Sequence, residues 1–242
     1  MKGGGPVIPN FGGAAHSFVC EKANRLFCWD WFSHNWSSTL WPALRQHVVL
    51  VLIAVAFGFA ISLALALLAH RYRPFEQPVI AFTSFLYTIP ALAFFELLLG
   101  FPGLGLSRTT AEIPLIAYTL LILFRNILTG LRNVPEDVLD AALGMGMSRG
   151  QLLWRVEVPL ALPAIIAGLR IATVSTVALA TIAALVDNEG LGVPILNAIN
   201  DSNFKTELIA AGALAVLLAI TADALLVGVQ RLFTPWSRTR AL

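Results

Sequence analysis

Four ionisable side chains, Glu96, Arg125, Arg170 and Asp223, fall inside long apolar stretches of this 242-residue sequence. Charges at membrane depth are costly, and they pair with one another or face water. Depth along a helix selects the partners. At 1.5 Å per residue, Asp223 lies roughly 23 Å and Arg170 roughly 24 Å from the outer end of its stretch, and Arg125 lies about 18 Å deep. Asp223 is therefore expected to pair with Arg170 first and Arg125 second, either as a packing clamp or as a gate latch. Glu96 sits near an outer end, where it either snorkels to the headgroups or attracts a cationic solute. Tyr87, Thr88 and Asn126 are polar groups at similar depth, readable as pathway residues or as interhelical hydrogen bonds. Bond-breaking chemistry finds no support. There is no G-x-x-x-x-G-K-[ST], no HExxH and no G-x-S-x-G, and the four histidines form no ligand set. No metal and no cofactor is expected on this chain.

The elements that must position these groups follow from composition. Hydrophobic residues make up 57% of the chain and charged residues 12%, about half the charge of a soluble domain. That excludes a disordered chain. The balance of 16 basic and 14 acidic residues lacks the concentrated basic face of a nucleic-acid binder. Five windows at 47–69, 79–99, 113–131, 164–186 and 208–229 are each long enough to cross about 30 Å of hydrocarbon as a helix. Pro90 is expected to kink the second. The fold class is thus an all-α integral membrane protein with about five transmembrane helices.

Basic residues set the orientation. Arg71, Arg73, Arg132, Arg149, Arg155, Arg231, Arg238 and Arg240 flank one set of window ends; the opposite loops hold only Arg108 and Lys205. This places the N-terminus outside and the C-terminus inside, although Lys2, Lys22, Arg25 and Arg45 are then translocated. Residues 1–46 read as an extracytoplasmic segment. Its Trp29, Trp31, Trp36 and Trp41 suit an interfacial elbow, with a cation–π box as the alternative. Residues 47–230 read as the membrane domain, including a cytoplasmic loop at 132–163, and 231–242 as a cytoplasmic tail.

That loop is too polar to span and too patterned to be irregular. It reads NVPEDVLDAALGMGMSRGQLLWRVEVPLALP over 133–163. Pro135 suits a first helical position, with Glu136 and Asp137 at the positive end of the dipole. Gly144 and Gly146 permit a turn. Ser148 and Gln151 make a capping box, and Pro159 is expected to end the second helix. Helix, glycine turn and helix form a shape suited to docking in a partner's groove.

The loop resembles the EAA loop of ATP-binding-cassette (ABC) importer permeases. Asp140-Ala141-Ala142 matches Glu-Ala-Ala, Gly146 matches the glycine, and Val156-Glu157-Val158-Pro159 matches Ile-x-Leu-Pro after nine residues. LALLAHRYR ending at Arg73, LYTIPALAFF at 86–95, YTLLILFRNILTGL at 118–131, residues 155–186, GLGVPI at 190–195 and TPWSR at 234–238 are similar to the osmoprotectant branch (glycine betaine, carnitine, choline). The resemblance implies a type I permease with a methionine-importer-like core in the bacterial cytoplasmic (inner) membrane. It implies a second permease copy or paralogue, a dimer of ABC ATPase subunits holding ATP and Mg, and a separate extracytoplasmic binding protein. Coupling to the ATPase then falls to Asp140, Ala141, Ala142, Met145, Gly146, Met147, Ser148 and Pro159. The alternatives are a permease for another small polar solute such as an amino acid, and an ion-gradient-driven secondary transporter. The latter usually shows an internal repeat, and none is found here.

Cys20 and Cys28 are the two cysteines. Outside the cytoplasm they are either a disulfide or two thiols. A free-thiol assay on unreduced protein separates these: no reactive thiol marks the disulfide, and two reactive thiols remove it.

Overall fold

The computed structural model describes residues 23–200 and 204–234. All regular structure among them is helical. Helix α1 (Trp29–Asn35) passes through a π turn (Trp36–Leu40) into α2 (Trp41–Arg71), giving an apolar rod of 43 residues. Pro42 falls in the first turn of α2, where its missing N–H costs nothing. The helix therefore starts before residue 47 and shows no break at position 46. The tryptophans divide at this elbow. Trp29 and Trp41 are exposed, whereas Trp31 is buried edge-on against Phe204 at 5.3 Å. Cys28 is buried beside it, and Cys20 lies outside the described residues.

The second window bends sharply at Pro90, as expected, and divides into two helices. Helix α3 (Glu76–Thr88) ends at Ile89, and α4 (Ala91–Leu99) leaves at 89° to it. Ile89 and Pro90 are extended, with ψ of 126° and 132°. Proline has no N–H to continue the ladder and pushes its predecessor out of the α region. At about 20 Å and about 14 Å, neither half crosses the hydrocarbon alone. The expected five spans are thus four long helices and one pair of half-helices bent at Pro90, where the kink was expected.

Helix α5 (Arg108–Arg132) starts at Ser107, whose hydroxyl accepts the Thr110 N–H. It is the most enclosed of the long helices. Two short helices, α6 (Glu136–Gly144) and α7 (Arg149–Leu152), lead through a π turn (Leu153–Glu157) into α8 (Val158–Asp187). Pro159 does not end a helix as expected. It sits in the first turn of α8, where it needs no hydrogen bond, so the helix runs on. Helix α9 (Gly192–Asn200) and α10 (Lys205–Phe233) complete the described chain.

Helix α5 lies between α2 and α8. Leu50, Phe95, Leu115 and Val177 fill one end of the core; Phe124, Ile127, Leu131 and Ile165 fill the other. Lipid is as apolar as leucine, so helix association relies on close approach and hydrogen bonds. Ser62 of α2 donates to the Leu120 carbonyl of α5 at 3.3 Å. Gly168 of α8 meets Asn126 of α5 so closely that a Cβ there would lie 2.5 Å from the Asn126 Cβ. The turn after α8 is tied to α2: Gly190 N–H donates to Gln46 Oε1 at 3.2 Å and Leu191 N–H to His47 Nδ1 at 3.3 Å. The other ring nitrogen of His47 therefore carries its proton, which it donates to the Val177 carbonyl at 3.1 Å.

Gly168→Leu is expected to cost about 1–3 kcal/mol by overpacking, read as a Tm several degrees lower in detergent. Gly212→Leu, where nothing lies within 4 Å of the added Cβ, leaves the Tm unchanged.

Candidate functional site

The polar loop folds by its own sequence rules. Pro135 is the N-cap of α6, one position earlier than expected, and Glu136 and Asp137 occupy the first turn. The helix stops in a Schellman arrangement: Gly146 N–H donates to the Leu143 carbonyl at 2.9 Å and Met147 N–H to the Ala142 carbonyl at 3.3 Å. Gly146 sits at φ 83°, a left-handed conformation that disfavours any residue with a Cβ. Ser148 and Gln151 then cap α7 reciprocally, Ser148 N–H to Gln151 Oε1 at 2.9 Å and Gln151 N–H to Ser148 Oγ at 3.4 Å.

What this element presents is mixed. Ala142 is buried and Met147 half-buried, while Asp140, Ala141, Gly146 and Ser148 are exposed. Leu143, Met145 and Trp154 are exposed as well, Met145 at 73%. Exposed apolar side chains grouped on a polar element suit a protein partner. Leu143 and Trp154 escaped the sequence reading; their signal was large apolar residues in a segment too polar to span.

Two polar side-chain contacts join the helix ends beside this element, and sequence reasoning missed both. Glu157, buried in the π turn, meets His70 at the end of α2 at 3.0 Å. Arg132, at the end of α5, meets Glu76 at the start of α3 at 2.7 Å. The only available signal was charge at window ends, which does not name partners.

Within the membrane helices, Arg170 and Asp223 form a two-pronged pair. Arg170 Nε donates to Asp223 Oδ1 at 2.7 Å and Nη2 to Oδ2 at 2.9 Å. This fork geometry fixes direction as well as distance. The pair locks α8 to α10. Arg125 is exposed and makes no ion pair among the described residues. Asn126, next to it, donates to its own helix at Ile122 (2.8 Å) and packs under Gly168. Tyr87 and Thr88 are exposed at the end of α3. The Tyr87 ring stands edge-on to Tyr118 at 5.8 Å, and Thr88 donates to the Phe85 carbonyl at 2.7 Å. Glu96 is exposed on α4.

A family profile described as binding-protein-dependent transport system inner membrane component matches residues 56–239. Among individual relatives, the carnitine transport permease protein OpuCD of Listeria monocytogenes is 39% identical over 67% of this chain and 72% of its own. The osmoprotectant import permease protein OsmW of Salmonella typhimurium is 37% identical over 78% of this chain and 89% of its own. The ergothioneine transport permease/binding protein EgtU of Helicobacter pylori is 42% identical over 62% of this chain, which spans only 26% of that relative. The fold is similar to the inward-facing MetNI methionine ABC transporter, at TM-score 0.69 and 19% identity over 81% of this chain and 96% of that one. It is equally similar, at 0.69 and 15% identity, to a bacterial alginate ABC transporter solved with its periplasmic protein, covering 89% of this chain and 88% of that one. The chain belongs to the binding-protein-dependent inner-membrane permeases and is a membrane-spanning subunit of the ABC importer type.

Proposed function

We propose that this permease carries a small trimethylammonium solute inward across a bacterial cytoplasmic membrane, as a multi-pass subunit with its N-terminus outside and its C-terminus inside. One observation carries the substrate class. The solutes named for its relatives are carnitine, choline, glycine betaine and ergothioneine, and all bear a trimethylammonium group. A binding protein delivers the solute, a second permease copy or paralogue completes the pathway, and a dimer of ABC ATPases binds ATP and Mg.

The coupling element is Asp140, Ala141, Ala142, Met145, Gly146, Met147, Ser148 and Pro159, docked in a groove of the ATPase. Its exposed Met145, with Leu143 and Trp154, supplies apolar contact, and Asp140 supplies a charge. ATP-driven closure moves α6 and α7, and the unbroken helical path into α8 carries that movement into the membrane. The Arg170–Asp223 pair then acts as a gate latch between α8 and α10. Small solutes of a different class, such as amino acids, are the competing reading, and the MetNI likeness is one of fold alone.

The complex reconstituted in proteoliposomes with its binding protein tests this. Glycine betaine, carnitine, choline or ergothioneine is expected to raise ATP hydrolysis above the basal rate and to be imported. Stimulation by methionine or histidine alone, or import without the ATPase, contradicts the proposal. Proline holds φ near −65°, so Gly146→Pro breaks the turn and is expected to abolish import and ATPase binding together. Gly146→Ala, at about 1–2 kcal/mol of left-handed strain, reduces both without abolishing them. Normal import by Gly146→Pro removes the coupling assignment.

A further inference from the structure

The break between α3 and α4 leaves chemistry that the coupling and gating roles do not use. Pro90 has no N–H, so the Leu86 carbonyl loses its helical donor. The carbonyls of Tyr87 and Thr88 lie past the last helical bond, because Ile89 is extended. The C-terminal end of a 13-residue helix therefore presents acceptors and the negative end of its dipole. The Ile89 carbonyl accepts a hydrogen bond from the Tyr118 hydroxyl. Within a bilayer, non-helical backbone persists only when packed in protein or lining water. Ile89 packs against Phe94 and Tyr118, whereas Tyr87 and Thr88 are exposed.

An aromatic face stands at the same point. Tyr87 is 45% exposed, whereas the two rings behind it, Tyr118 and Phe94, are 6% and 7% exposed. Tyr118 is edge-on to both, at 5.8 Å from Tyr87 and 6.1 Å from Phe94. The buried pair sets the orientation of the exposed ring. Glu96, on the half-helix that follows, is exposed and makes no ion pair among the described residues. Carbonyls without a helical donor, an exposed π face and a carboxylate without an ion pair all favour a cation. A trimethylammonium head has no N–H to donate. Aromatic faces attract it electrostatically, and carbonyls meet its polarised C–H groups.

We propose that the α3–α4 break is a transient site for the trimethylammonium head in the pathway, with Tyr87 as its aromatic wall and Tyr118 as the positioning residue behind it. The site rests on the substrate class proposed above. Its contacts are few and carry no hydrogen bond to the nitrogen, as a station that must release its solute requires.

The test uses proteoliposomes holding the full complex and saturating, solute-loaded binding protein. Tyr87→Phe keeps the π face and retains more import than Tyr87→Leu does. Tyr87→Leu is expected to lower glycine betaine import about tenfold, while ATP hydrolysis stimulated by the loaded binding protein persists. Fluorinated phenylalanines at position 87 keep the shape of the Tyr87→Phe ring and weaken its π face, so import falls stepwise with each fluorine. Tyr118→Phe frees the Ile89 carbonyl and lowers import less than Tyr87→Leu does. Wild-type import by Tyr87→Leu, or no trend across the fluorinated series, overturns the site alone. A wild-type complex that imports no trimethylammonium solute overturns the substrate class and the site together.

Discussion

Close approach of α5 and α8 is the constraint from which the rest of the arrangement follows. In a bilayer, apolar side chains gain little by leaving lipid for one another, so helices are held by packing and polar contacts. Gly168 allows α8 to lie directly on Asn126 of α5. From that position α8 reaches two further neighbours. Its Val177 carbonyl accepts a hydrogen bond from the His47 N–H of α2, and its Arg170 grips Asp223 on α10. Loss of the α5–α8 contact would displace the partners of both.

The same helix is continuous with the polar element outside the membrane. The path from Arg149 to Asp187 runs unbroken through the π turn at Leu153–Glu157. A π turn adds a residue to a helix without ending it, and such turns often mark functional positions. Here the turn places Glu157 against His70, so the base of the coupling element is fixed to α2 as well as to α8. On the proposed mechanism a push on α6 and α7 cannot dissipate in a flexible joint, and it must tilt α8 against α5. The Arg170–Asp223 pair joins α8 to α10, so on the same mechanism a tilt of α8 against α10 strains it.

Much of this was legible along the chain, and what was not has a common cause. Apolar windows marked the long helices, because length and hydropathy are local properties. The Ser148–Gln151 capping box and the turn at Gly146 were equally local, and both appear as hydrogen bonds three to five residues apart. Depth along the windows pointed Arg170 at Asp223, and the side chains meet. Prolines were harder. Pro90 separates two helices at a right angle, whereas Pro159 and Pro163 sit within α8. The difference at Pro90 includes a distant partner: the Tyr118 hydroxyl of another helix donates to the Ile89 carbonyl. His70 and Glu157 are 87 residues apart, and only tertiary packing names such partners.

The central claim is that the coupling element and α8 move as one body. Inserting Gly-Gly between Arg155 and Val156, inside the π turn, cuts that continuity and leaves the exposed face of α6 and α7 unchanged. Import and ATP hydrolysis, measured side by side in the reconstituted complex, decide the matter. The account predicts an insertion variant that binds the ATPase and hydrolyses ATP at the basal rate but imports no solute. Import at the wild-type rate by that variant would contradict it.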